Sequence, residues 1–136
     1  MAWAPPVLVG PGAITPNYAA LAGDAEGRIV IVYSGNLGEG NSLYAVYSDD
    51  DGVRWSEPET IFSTFGTDDK VFDFSISQGA SGSVHTVWNV TNKRGQNVAS
   101  YYAKLDGLET KQWSEPVPLD QGIGLGIAVP AVIEYN

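Results

Sequence analysis

Ser48-Asp49-Asp50-Asp51-Gly52-Val53-Arg54-Trp55-Ser56-Glu57-Pro58 is the stretch on which the reading of this chain turns. Its last four residues recur as Trp113-Ser114-Glu115-Pro116, and a weaker copy, Trp3-Ala4-Pro5-Pro6, stands near the start. Upstream of each full copy lies the same hairpin-like text. Gly27-Arg28-Ile29-Val30-Ile31-Val32-Tyr33 matches Gly82-Ser83-Val84-His85-Thr86-Val87-Trp88, and Leu43-Tyr44-Ala45-Val46-Tyr47 matches Tyr101-Tyr102-Ala103-Lys104-Leu105. Several features returning in one order are the mark of an internal repeat.

Each repeat reads as four strands, a to d. In the first, strand a lies near residues 18–22, and residues 23–27 form a turn. Strand b, residues 28–33, is rich in β-branched side chains, which suit a pleated surface. A glycine-rich loop over residues 34–41 leads to strand c at residues 43–47, and a tight turn leads to strand d near residues 59–62. The second repeat places a at 73–77, b at 83–88, c at 98–104 and d at 116–119. Four strands in about 40 to 50 residues is the size of a β-propeller blade. The expected fold is therefore all-β, built of four-stranded antiparallel blades in an incomplete ring.

The ends extend this reading. Residues 1–13 read as strand d of a preceding blade, 14–62 as a blade, 63–120 as a second blade, and 121–136 as the first strand of a further one. The last assignment rests on Ala128-Val129-Pro130-Ala131-Val132-Ile133, which resembles Ile14-Thr15-Pro16-Asn17-Tyr18-Ala19. The chain is expected to run d, abcd, abcd, a.

Composition narrows the function classes. Lys and Arg total 7 against 16 Asp and Glu, a formal charge of −9 in 136 residues. Nucleic acid and anionic membrane surfaces call for a positive field, so neither is an expected partner. With no cysteine there is neither a disulfide framework nor a thiolate metal site. The one histidine, His85, cannot build a zinc site alone, and no cofactor is expected. No apolar run is long enough for a spanning helix. Met1-Ala2-Trp3 lacks the basic and apolar regions of a secretory signal. A secreted or cell-surface parent would carry its signal outside this stretch.

Ser48 to Trp55 fits the pattern S-x-D-x-G-x-x-W at every specified position. It resembles the Asp box, or bacterial neuraminidase repeat, of sialidases and related propellers. In physical terms Gly52 supplies the positive φ of a tight turn. The Asp50 carboxylate and Ser48 hydroxyl can satisfy backbone N–H groups inside it. Trp55 then covers the hairpin with a large ring. The box is expected to be a turn staple rather than a calcium or glycan site using Asp49, Asp50 and Asp51. In the second repeat only Trp113 survives, with Asp106-Gly107 at the wrong spacing, which suits a packing role for that ring.

The resemblance implies a chemistry that this chain does not supply. Sialidases hold a substrate carboxylate with three arginines, and use a Tyr–Glu nucleophile pair and an aspartic acid/base. One arginine of that family stands in an Arg-Ile-Pro motif, which is absent here. Arg28, Arg54 and Arg94 are the only arginines. Arg54 lies in the box and Arg28 at a turn, leaving Arg94. No catalytic residue is assigned. Paired carboxylates from Glu39, Asp68, Asp69 and Asp73 are the other route, and in polar loops such groups are ordinarily solvated. His85 sits inside an alternating strand and reads as a packed or hydrogen-bonded residue.

A binding surface is expected where the b-to-c and d-to-a loops meet: residues 34–41, 89–96, 62–72 and 119–129. The candidate ligand residues are Tyr33, Asn36, Asp73, Trp88, Asn92 and Arg94. Aromatic rings flanked by amides and charges suit a sugar, whose C–H face stacks while its hydroxyls hydrogen-bond. The competing role of Tyr33 and Trp88 is packing between blades. Three functions follow. The chain is a carbohydrate-binding or glycosidase-derived propeller fragment without its own catalytic site, a structural self-assembling repeat module, or part of a sialidase-like glycoside hydrolase. The expected partners are glycans and the chain itself, as a homo-oligomer through blade faces and terminal strands.

Overall fold

A computed structural model of the chain describes residues 3–9, 18–38 and 40–119. Among these the fold is all-β, with no helix. Its strands are β1 (Ala19–Gly23), β2 (Ile29–Asn36), β3 (Asn41–Ser48), β4 (Glu59–Phe62), β5 (Lys70–Gln78), β6 (Val84–Thr91), β7 (Asn97–Leu105) and β8 (Val117–Pro118). They form two antiparallel meanders, β1-β2-β3-β4 and β5-β6-β7-β8. A single parallel pairing, Asn41 with Lys70, joins the two units into one open, unclosed sheet. This is consistent with an incomplete propeller-like fragment.

The repeat is visible in detail. The turns before β2 and β6 close with the same backbone bond, Asp24 N to Arg28 O and Gly79 N to Ser83 O, and each contains a glycine at positive φ, Gly27 and Gly82. Ser56 and Ser114, from the two Trp-Ser-Glu-Pro copies, do identical work. Each hydroxyl accepts a strand N–H, from Tyr47 and from Lys104, both at 2.9 Å. Each backbone N–H returns a bond to the same strand residue's carbonyl.

One alignment needs correction. Tyr33 pairs with Tyr44, and its counterpart Trp88 pairs with Tyr101. Leu43–Tyr47 therefore corresponds to Ser100–Lys104, one residue earlier than the sequence match. A one-residue slip in a strand exchanges its two faces, so the correction decides which side chains lie between the units. Val30, Val32, Leu43, Ala45 and Tyr47 of the first unit share a core with Val84, Trp88, Val90, Ala103 and Leu105 of the second. Phe62, Phe74 and Tyr101 pack against it.

Residues 3–9 carry no strand, and Trp3 is fully exposed. The expected first strand of a further blade, within residues 121–136, lies outside the described residues, as does the matching text at 14–17.

Candidate functional site

The two ends of the meanders differ in chemistry. At one end lies the Ser48–Trp55 turn, and every polar group of its motif is committed within it. The Ser48 hydroxyl accepts the Gly52 N–H at 2.9 Å and donates to Asp50 Oδ1 at 2.9 Å. Asp50 accepts the Arg54 backbone N–H at 2.8 Å and its guanidinium Nε–H at 2.9 Å. Hydrogen bonding from Arg54 and Ser48 holds the Asp50 carboxyl down at about 2. Asp51 and Gly52 take positive φ, 60° and 83°. Trp55 lies beside the turn and donates its indole N–H to Gly52 O at 3.0 Å.

This end also couples the two units. Within the first unit Asp51 N–H donates to Gly27 O of the β1–β2 turn, and side chains reach across to the second. Asp49 pairs with Lys111 at 2.7 Å, and Arg28, clamped by Asp24 at 2.7 Å, extends to Glu109 at 3.8 Å. Trp113 Nε1 donates to the Tyr47 hydroxyl at 2.6 Å, and that hydroxyl donates to Glu59 at 3.1 Å. Burial pushes the Tyr47 hydroxyl well above the usual phenol range. Trp113 was expected to pack, and it does; its hydrogen bond across to the first unit had no signal in the sequence. Where the second repeat lacks the box, Lys111 takes the left-handed conformation (φ 56°), Asp106 N–H bonds Gln112 O, and Leu108 is buried beneath the turn. An open cleft of about 430 Å³ lies here, yet its charges are already paired, Asp49 with Lys111 and Asp50 with Arg54.

The opposite end holds a second cleft. There the β4–β5 loop meets the β6–β7 turn around a cleft of about 340 Å³, lined by Asp68, Asp69, Asn92, Lys93 and Arg94. Asn92 builds the turn. Its Oδ1 accepts N–H bonds from Arg94 at 2.9 Å and Gln96 at 3.1 Å, and its amide donates to Gln96 Oε1. This leaves Lys93 and Arg94 projecting from a rigid, glycine-closed turn, with Gly95 at φ 77°. Among the described residues no ion pair closes across the cleft. Two carboxylates and two cations thus line one open cleft, a set of acceptors and donors for a polar ligand.

The expected binding residues divide between these settings. Asn92 and Arg94 line the cleft together, and Asp68 and Asp69 join them. Trp88 does not. It is 0% exposed, stacked on Tyr101 (5.8 Å, 19°) and against Phe62 (5.5 Å) between the units, so it offers no face to a ligand. Tyr33 is half-buried beside Tyr44 at 5.6 Å, and burial raises its hydroxyl above the ordinary value. Asn36 caps its own loop, accepting the Gly38 N–H at 2.8 Å. Asp73 stands at the β-bulge between Val71 and Phe74, away from the cleft lining. Glu39 lies outside the described residues. His85 is a hydrogen-bonded strand residue, with Nδ1 2.8 Å from the Tyr102 hydroxyl.

Sequence reasoning missed an aromatic pair beside the cleft. Phe62 and Tyr101, with ring centroids 4.7 Å apart, line a smaller pocket that shares Asp69 with the polar cleft. The signal available was the position of Phe62 at the end of a strand d, but only pairing of the two units puts it against Tyr101. No protein-family model matches the chain, and no curated protein matches it.

Proposed function

We propose that this chain is part of an Asp-box propeller of the sialidase-like kind, whose loop end binds carbohydrate and carries no catalytic site of its own. One observation carries the reading: the contrast between an Asp-box end with its charges paired and an opposite end where Asp68, Asp69, Lys93 and Arg94 share an open cleft without pairing. Polyols are recognised by such mixed sets, with carboxylates accepting from hydroxyls and cations donating to them. Arg28 and Arg54 are engaged at the other end. An arginine clamp for a substrate carboxylate therefore has only Arg94 to draw on.

Glycan-array screening followed by calorimetry tests this. Arg94→Ala and Asp69→Asn are expected to weaken binding about tenfold or more, the worth of a charge-assisted hydrogen bond. Asp50→Asn is expected to leave binding intact in folded protein, and the pure chain to turn over no fluorogenic sialoside. Binding lost on Asp50→Asn but kept on Arg94→Ala would overturn the assignment.

Self-association is a second reading, favoured by the open sheet and by exposed apolar side chains on and beside β1 and β5. Tyr18, Leu21 and Phe72 are exposed, the first and last in edge-to-face contact at 6.1 Å.

A further inference from the structure

The smaller pocket beside the polar cleft has a different character. It is about 230 Å³ in volume and straddles the two units, with Phe62 on one side and Val90, Val98, Ala99 and Tyr101 on the other. Its rim carries hydroxyls, each with a hydrogen bond to the backbone nearby. Thr64 Oγ1 donates to Asn41 O at 3.1 Å, Thr67 Oγ1 donates to Thr64 O at 2.7 Å, and Ser63 Oγ accepts the Phe65 N–H at 3.1 Å. Phe62, Val90, Val98, Ala99 and the Tyr101 ring give the pocket an apolar wall, while the hydroxyls and the Asp69 carboxylate keep the rest of its lining polar. Asp69 marks the border, since it lines both spaces. A closed apolar cavity of about 150 Å³ is enough for benzene, so an open one of this size admits a ring or a branched chain of similar bulk.

We propose that this inter-unit pocket is a subsite for an aryl or branched-alkyl substituent attached to the polar ligand of the adjoining cleft, the ligand being an amphiphilic glycoside. The polar half of this inference rests on the carbohydrate reading; the apolar half rests on the pocket. The Phe62 and Tyr101 rings supply the stacking surface, and Asp69 accepts a hydroxyl at the junction. Such a substituent is worth about tenfold or more in affinity when it leaves water for an apolar wall.

The test compares methyl β-galactoside, phenyl β-galactoside and benzyl alcohol by amide chemical-shift mapping of the full chain. Phenyl galactoside and benzyl alcohol are expected to shift Val90, Val98 and Ala99. The phenyl glycoside should bind about tenfold or more tightly than the methyl one. Ala99→Leu, which fills the pocket, should remove that difference; if this variant unfolds, the ligand comparison on the parent chain decides alone. Galactosides that shift Asn92 and Arg94 equally, with no shift at Val90, Val98 or Ala99 from any aryl probe, would overturn the subsite and leave the carbohydrate reading standing. Aryl shifts at those three residues, with Asn92 and Arg94 silent to both sugars, would mean an apolar pocket with no glycoside beside it, and would overturn the carbohydrate reading together with the amphiphilic ligand.

Discussion

At the scale of single residues, the box shows what a short motif can do without help. Gly52 sits at φ 83°, and a Cβ there would meet Trp55 and Ile29 only at ordinary contact distance, 3.6 and 3.8 Å. The cost of Gly52→Val is therefore backbone strain, about 1–3 kcal/mol, to be read as a lower denaturation midpoint with an unchanged slope. Asp50 gives a pH signature. Its carboxyl is held near 2 in the fold against an unfolded value of 3.8, so the unfolded chain binds the proton first. The stabilisation is complete above the unfolded value and is lost as pH falls through the folded one. Melting temperature measured from pH 5 to pH 2 should fall in that window, and Asp50→Asn should flatten its share of the fall. Asp24, lowered by its Arg28 partner, contributes with the same sign and keeps the variant from losing the slope entirely.

At the scale of elements, the bond between Trp113 and Tyr47 ties the end of one meander to the other. Tyr47→Phe keeps the ring and removes the hydroxyl that the indole N–H donates to. The N–H is then left partly buried without its acceptor, at a cost of about 1–2 kcal/mol. A Tyr47→Phe, Trp113→Phe double-mutant cycle by urea denaturation should show coupling of that order; additive effects would mean that the bond joins nothing. At the other end, Gly40 has φ 77° and a Cβ there would lie 2.7 Å from Thr64 Oγ1, so the two loops meet with no room for a larger residue.

At the scale of the molecule, the sheet is open. Among the described residues β1 pairs only with β2, and Leu21 on β1 is 68% exposed. Unpaired strand edges and wet apolar side chains both favour association. Light scattering at low micromolar concentration should give a mass above the 14.5 kDa of one chain, and Leu21→Lys should lower it. A folded monomer at 14.5 kDa, unchanged by that substitution, would count against self-association.

The extent of legibility follows the range of the forces. Four strands per repeat, their order, the Gly52 turn and the Ser48–Asp50 hydrogen bonds were readable because turn chemistry and β-branched alternation act over a few residues. The Asn92 turn that presents Arg94 is equally local. Register was not: pairing Tyr44 with Tyr33 and Tyr101 with Trp88 is set across strands, and the sequence match slipped by one residue because period-2 text looks similar either way. The fate of Trp88 and the pocket between Phe62 and Tyr101 were likewise decided only in three dimensions. An aromatic at the end of a strand reads the same whether it faces water or a neighbour, and the neighbour comes from the other repeat. The polar cleft has the same origin, since Asp68 and Asp69 meet Lys93 and Arg94 only when the two units pack. Local sequence thus determined the repeat, its turns and its strands; packing between repeats, which depends on contacts far apart in the chain, decided which faces were buried and which residues were brought to one site.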